Sequence, residues 1–366
     1  LRPSVLEMEG VTVEESATPR EAGVQEMDPE QVRNMPGPFK GFRALKVLPG
    51  VASNNELSYQ YSVRGGGFNE NLIFINGFEV HMPFRPRQGE QEGLGLLNPD
   101  LAERITLYTG GFPARYGGKL SSALDVRYGL PEATRPHGAA SVSLLDASVS
   151  TGASALGGRL GWAAGLRKAR ARHFFSTQEL KGDYQPDYTD VQALAGYEFA
   201  PGHRLEALGI WADHAFRLDP QNRKTYFGTV STNPNVPSNL QAIWIDYGGE
   251  ERDRYATRFA GVRLTDRLSP RFRMEHDAAY YGTVEHERYD IDGSAVLYQV
   301  DPSGGDPGTG AGHVPTGSVR QSDSADNRVT VNTWTANGRY LLHAGRHAAE
   351  AGWYARALHF DDRIAE

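Results

Sequence analysis

The stretch Arg271–Glu287, RFRMEHDAAYYGTVEHE, sets the reading of the larger part of the chain. Phe272, Met274, Ala278, Tyr280 and Val284 fall on one side of an extended strand, and Arg273, Glu275, Asp277, Thr283 and Glu285 on the other. A period of two held this long is that of a β-strand whose faces meet different surroundings. The pattern recurs. In Asp190–Phe199, Val191, Ala193, Ala195, Tyr197 and Phe199 oppose Asp190, Gln192 and Glu198. In Val329–Leu342, Trp334, Ala336, Tyr340 and Leu342 oppose Thr333, Thr335, Asn337 and Arg339. In Ala349–Phe360, Ala351, Trp353, Ala355 and Ala357 oppose Glu350 and Arg356. Leu205–Ala215 and Tyr255–Leu264 alternate less cleanly.

The connections discriminate further. From residue 138 they alternate between short (Gly157-Gly158, Ala200–His203, Arg267–Arg271, Leu342–Arg346) and long (Arg172–Asp187, Leu218–Asp253, Tyr289–Asp326). Outer-membrane barrels sort connections in this way, with short periplasmic turns and long outer loops. A soluble sandwich has no reason to do so. Counting from Ala139 gives about nine strands, the last ending outside near Phe360, so an incomplete barrel is expected. The aromatic residues Tyr226, Phe227, Trp244 and Tyr247 of one long connection could stack on a ligand or pack the loop.

Composition agrees with this reading. Alternating strands average out as hydrophilic, and no apolar run approaches the roughly 20 residues of a membrane helix. The net charge of -7 argues against a nucleic-acid partner. With 0 Cys there is neither a disulfide framework nor a thiolate metal site. The chain opens at Leu1 without an apolar leader.

The first 136 residues have another texture. Residues 1–27 read as an extended polar segment, with Val11-Thr12-Val13 as its one β-prone run. Asp28-Pro29 starts a helix that Pro36-Gly37 must end. A second helix fits Phe39–Leu48, with Phe42, Leu45 and Leu48 three apart and Pro49-Gly50 as its stop. Strands are expected near Tyr59–Arg64, Asn71–Asn76, Ile105–Thr109 and Ala123–Tyr128. Met82–Gly95 reads as an exposed loop, and glycines 65, 77, 110 and 117 as turn positions with positive φ. The result is a small α+β domain over 28–136, followed by antiparallel transmembrane strands over 137–366.

Several motifs of the small domain resemble, in order, the plug of TonB-dependent outer-membrane receptors. Val63-Arg64-Gly65 is similar to the plug's hydrophobic-Arg-Gly motif, and Leu72-Ile73-Phe74-Ile75-Asn76-Gly77 to its strand-turn, with Asn76 where Asp is commoner. Ala102–Gly110, containing Glu103-Arg104-Ile105, resembles its ERIEV-x-x-G stretch, and Ala114-Arg115-Tyr116-Gly117 the A-x-YG that follows. Leu120–Arg127 takes the place of the closing strand. The form of Gly110–Gly117 resembles variants preceded by a carboxypeptidase-regulatory-like domain.

The resemblance implies a plug inside a barrel of roughly 22 strands, in the outer membrane of a Gram-negative bacterium. It implies TonB-dependent import of an unidentified ligand, with outer-membrane lipid and lipopolysaccharide around the barrel and other envelope proteins as further partners. TonB would add as a strand to an extended segment, for which Val11, Thr12 and Val13 are the candidates. Two plug loops would face outward and offer Phe68, Asn69, His81, Phe84, Arg85 and Arg87 to an anionic or aromatic ligand. Arg64, Arg104 and Arg115 would pair with inward carboxylates such as Glu198, Glu275, Asp277 and Glu350. Two other classes stay open: a plugged barrel acting as a scaffold, and a soluble β adhesin.

Enzyme chemistry has little footing. His343 and His347 are four apart, but in a strand-turn-strand. Asp290-Ile291-Asp292-Gly293 lacks the rest of a calcium loop and reads as a turn, and Gly304–Gly312 holds no P-loop lysine. No catalytic residue, cofactor or metal ligand is expected.

Overall fold

The computed structural model describes residues 23–35, 42–53, 59–83, 95–132, 134–143, 146–170, 182–230, 239–301 and 312–365. Val11, Thr12, Val13, Phe84, Arg85 and Arg87 lie outside them.

The small domain comprises β1 (Val24–Met27), α1 (Pro29–Asn34), β2 (Val51–Ala52), β3 (Ser62–Val63), β4 (Asn71–Ile75), β5 (Phe78–Glu79), β6 (Ala102–Tyr108) and β7 (Ser122–Tyr128). Its main sheet has the order β1-β6-β7-β4-β5, with β4 and β7 parallel. Helix α1 begins as the sequence predicts: Asp28 Oδ1 accepts from the Glu30 amide at 2.8 Å, and Pro29 takes the first helical position. The second helix is instead a 3₁₀ helix, Phe42–Val47. Apolar residues three apart match three residues per turn better than 3.6, and Leu45 is buried while Leu48 packs against the core. Val24–Met27, read from the sequence as part of the extended leader, pair as an edge strand with Tyr108–Ile105.

Asn76 and Gly77 carry φ of 50° and 79°, as a two-residue hairpin turn between β4 and β5 demands. Gly65 is also left-handed. The other two expected positions are displaced by one residue, to Gly111 and Gly118.

The second region is an antiparallel wall: β8 (His137–Val142), β9 (Asp146–Ala155), β10 (Leu160–Arg170), β11 (Gly182–Ala200), β12 (His203–Pro220), β13 (Arg223–Thr229), β14 (Asn239–Ser269), β15 (Phe272–Val300), β16 (His313–Ala344) and β17 (His347–Arg363). Neighbours in sequence are neighbours in space, except that β12 pairs β14 and β13 forms a side hairpin on β14. Two of the long connections are therefore largely strand. Pairing of β14 with β15 continues to Leu240–Val300, carrying Asp290–Gly293 through mid-strand rather than a turn. An extra hairpin at Ser143–Asp146 makes the first outer connection short, and its sequence gave no Gly, Pro or Asn to mark it.

One face of each wall strand is open, with Leu205, Trp211, Val262 and Trp334 exposed. In β10, β11, β12, β14 and β15 the other covers the small domain, whereas β8, β13 and β17 are almost wholly exposed on both faces. A single core joins Ile75, Phe78, Leu96, Leu97, Leu101 and Ile105 of the small domain to Leu194, Leu208, Ile210, Phe216, Phe259 and Tyr281 of the wall.

Candidate functional site

The contacts that matter lie where the small domain meets the wall. β5 runs out through Val80–Pro83, and the chain returns at Gly95. The base of this excursion is closed by a hydrogen bond from the Leu96 amide to the Pro83 carbonyl, 2.9 Å. Both sides of that base are fixed by wall side chains.

On the outgoing side the Met82 carbonyl accepts from the Tyr255 hydroxyl at 3.2 Å and from the Tyr281 hydroxyl. The His81 ring stands edge-on to Tyr281, with centroids 5.7 Å apart, and its Nδ1 lies 3.2 Å from Glu79 Oε1. Tyr354 donates to Glu79 Oε2 at 3.1 Å. Burial pushes the Glu79 carboxyl up, but the hydrogen bonds and charges of His81, Tyr354 and Lys119 outweigh it, and the net direction is downward.

On the returning side stands Arg167 of β10, buried and fully engaged. Its Nε bonds both oxygens of Asp190 at 3.0 and 3.1 Å, Nη1 donates to the Leu97 carbonyl at 2.8 Å, and Nη2 to the Gly95 carbonyl at 3.1 Å. Tyr188 donates to Asp190 at 2.7 Å, and Gln192 Nε2 donates to the Leu96 carbonyl at 2.6 Å. From the small domain, the Tyr128 hydroxyl donates to Gln192 Oε1 at 2.7 Å and accepts from the Asn98 amide at 3.0 Å. A buried ion pair is tolerable because nearly every remaining donor and acceptor is used.

The Asn76-Gly77 turn meets the wall as well. Arg263, held by Asp277 at 2.6 and 2.7 Å, lies over the Phe78 ring. A Cβ on Gly77 would fall 2.4 Å from an Arg263 nitrogen. Glycine is required there twice, by its φ and by this approach.

The sequence motif at Ala114–Gly117 is explained inside the small domain. Tyr116 donates to Asp125 Oδ2 at 2.8 Å, Arg115 and Arg127 lie 3.6 and 3.3 Å from the same oxygen, and the Tyr116 ring rests against Phe74 and Tyr108. Burial and the Asp125 charge push the Tyr116 hydroxyl up. Beside this cluster a polar cavity of about 850 Å³ separates domain and wall, bounded by Glu26, Arg104 and Arg127 on one side and Arg159, Glu198 and Arg204 on the other. Arg159 places it at the short-turn end.

The expected docking pairs are not formed. Arg115 pairs with Asp125 of its own domain, and no ion pair engages Arg64 or Arg104 among the described residues. The named carboxylates serve the wall instead: Asp277 holds Arg263, Glu275 and Glu350 hold Arg339, and Glu198 caps the turn at Gly202. The polarity of docking is reversed, with a wall arginine donating to carbonyls of the small domain. Phe68 and Asn69 sit in a 3₁₀ turn, Phe68–Glu70, where the Phe68 carbonyl accepts from Asn71. Of the long-connection aromatics, Trp244 packs on Tyr298 and His313, and Tyr226 on His313, so these hold the β13–β16 hairpins together.

Sequence reading placed Asp190 and Gln192 on the correct inward face but gave Arg167 no role; nothing local distinguishes it from Lys168 and Arg170. It also missed Glu251, Asp253 and Glu287, which gather carboxylate oxygens within 4.8 Å of one another on β14 and β15. Only the register Asp253↔Glu287 brings them together.

Residues 16–123 match the family model described as the TonB-dependent Receptor Plug Domain. No curated protein matches the chain. Among solved structures, similarity is found to a mutant of the ferric enterobactin receptor PfeA from Pseudomonas aeruginosa, at 13% identity and TM-score 0.42 over 93% of this chain and 59% of that one. The siderophore receptor PirA from Pseudomonas aeruginosa gives 10% identity and TM-score 0.42 over 93% of this chain and 76% of that one. The FrpB iron transporter from Neisseria meningitidis gives 10% identity and TM-score 0.42 over 92% and 73%. The chain spans 59%, 59% and 58% of the length of the first three structures it matches. Residues 16–123 are thus similar to a TonB-dependent receptor plug, and the strands behind them form an antiparallel wall.

Proposed function

We propose that this plug-bearing outer-membrane chain works in TonB-dependent import. A ligand arriving from outside binds over the plug's outer loop, and a pull on the N-terminal segment by the TonB complex remodels the plug to let it pass. The observation that carries the reading is the unequal attachment of the plug. The base of its outer loop, at Met82 and Leu96-Leu97, is fixed to the wall through Arg167, Gln192, Tyr255 and Tyr281. Its first described strand, β1, is an edge strand joined over four residue pairs to β6 alone. A force entering from the N-terminus works first on the weaker attachment. Capture of an extended segment by strand addition suits Val11-Thr12-Val13.

Deleting Leu6–Glu15 from the full-length protein tests this. Import should be lost while ligand still binds at the cell surface. Unchanged import would overturn the assignment of the TonB-contact segment, and loss of both with normal protein levels would favour the scaffold reading.

A further inference from the structure

The inner face of β10–β12 is built in rows, because each strand lies in register with the next. Gly161, Gly196 and Glu206 form one row, and Ala163, Leu194 and Leu208 the next toward the outer end. Gly165, Gln192 and Ile210 follow, and then Arg167, Asp190 and Ala212. Two residues of extended chain separate successive rows, about 7 Å.

The chemistry changes from row to row. The first row lines the polar cavity of about 850 Å³. The third and fourth carry Gln192, Asp190 and Arg167, which hold the base of the outer loop. On these three strands only Ala163, Leu194 and Leu208 stand between the cavity row and Gln192. One apolar row therefore separates the polar cavity from the polar network. On the plug side Tyr128 spans that row: it lines the cavity, and its hydroxyl donates to Gln192 at 2.7 Å. Three buried polar atoms lack a hydrogen-bond partner among the described residues: Asn98 Nδ2 beside Gly165 on the outer side, and Asp125 Oδ1 and Arg204 Nε at the cavity. Buried groups of this kind are the ones that internal water serves. Val24 and Glu26 of β1 line the cavity too, so the strand that a pull reaches first is part of its boundary.

We propose that imported cargo crosses along the inner face of β10–β12, with the polar cavity as the preformed short-turn half of the route and the Ala163–Leu194–Leu208 row as its septum. The inference rests on the import reading and adds to it the place of passage and the class of cargo. Release of β1 opens the cavity, and parting of Tyr128 from Gln192 opens the septum. Charges of both signs line the cavity, Glu26, Arg104, Arg127, Glu198 and Arg204 among them. They suit a polar, hydrated cargo and penalise an apolar one, which would strip water from them.

Swelling of liposomes that hold the full-length protein, with L-arabinose as the permeant, tests the route directly. The wild type should exclude the sugar. Leu194→Ala/Leu208→Ala should admit it, and so should Leu194→Ser alone, which wets the same row at a smaller loss of packing. A large maleimide coupled at Glu206→Cys in either background should stop the swelling. Phe78→Ala/Phe259→Ala removes more volume on the β14 side, where the two rings pack 5.6 Å apart, and should stay closed. Exclusion of L-arabinose by septum variants that run as folded barrels in unboiled gels would overturn the proposal. Equal swelling of the Phe78→Ala/Phe259→Ala variant would do the same, as would swelling that the label at Glu206→Cys leaves unchanged. Leakage is read without import, so it stands or falls apart from the deletion of Leu6–Glu15, which tests import itself.

Discussion

Strands β12 and β16 belong to one wall, yet they turn different chemistry inward. β12 presents Leu208, Ile210, Ala212, Phe216 and Leu218 to the plug, all buried in the shared core. β16 presents Thr333, Thr335, Asn337 and Arg339, which meet polar neighbours such as Glu275. Outward, both are apolar, with Leu205 and Trp211 on one and Trp334 and Leu342 on the other. The polar-inside rule for barrels holds where the lumen is wet. Where the plug lies against the wall, the wall becomes half of a hydrophobic core.

The largest effect expected is at the charge buried in the apolar half. Arg167→Met should destabilise the plug–wall contact by about 3–5 kcal/mol, because Asp190 is left buried and unpaired. Denaturant unfolding measures it, and hydrogen exchange should rise at Leu96–Asn98. The double variant Arg167→Met/Asp190→Leu should recover much of the loss. A single variant as stable as wild type would show that the network does not hold the plug.

Next come the two inward faces, each truncated to alanine at one position. Ile210→Ala in β12 should cost about 2–4 kcal/mol, as a cavity in a packed core does. Asn337→Ala in β16 should stay within about 0.5 kcal/mol. Similar costs at both positions would erase the distinction. Gly77→Ala should cost about 1–3 kcal/mol, through its left-handed φ and the displacement of Arg263, read as a lowered melting temperature.

The smallest effect is in pH. Glu79 titrates below its ordinary value of 4.5 in the folded protein, so its contribution is fully present above that value and is lost as pH falls through the folded pKa. Stability of the wild type should therefore drop more steeply than that of Glu79→Gln between about pH 5 and pH 3. Parallel curves would show that the Glu79–His81–Tyr354 contact contributes nothing.

The same comparison explains what could be read in the sequence. Arg271–Glu287 alternates cleanly because Asp277 and Glu275 face polar partners while Ala278 and Tyr280 face out. Leu205–Ala215 and Tyr255–Leu264 alternate poorly because apolar residues sit on both of their faces, Trp211 and Val262 on the open one and Ile210 and Phe259 on the one toward the plug. The plug motifs were legible because glycines and turns carry local signals. Arg167 was not, since its importance comes from carbonyls about 70 residues away in sequence. The outer connections read as loops because their strands mix Gly, Asp and Ser, and only cross-strand pairing fixes them.

A single-cysteine scan along Ala207–Ala212 of the full-length protein in its membrane tests the central claim, that the plug fills the lumen against this part of the wall. The chain has 0 Cys of its own. The account predicts that a lipid-soluble thiol reagent labels the odd positions, and that a water-soluble one leaves the even positions 208, 210 and 212 unlabelled until residues 28–136 are deleted. Strong aqueous labelling of those even positions in the intact protein would contradict it.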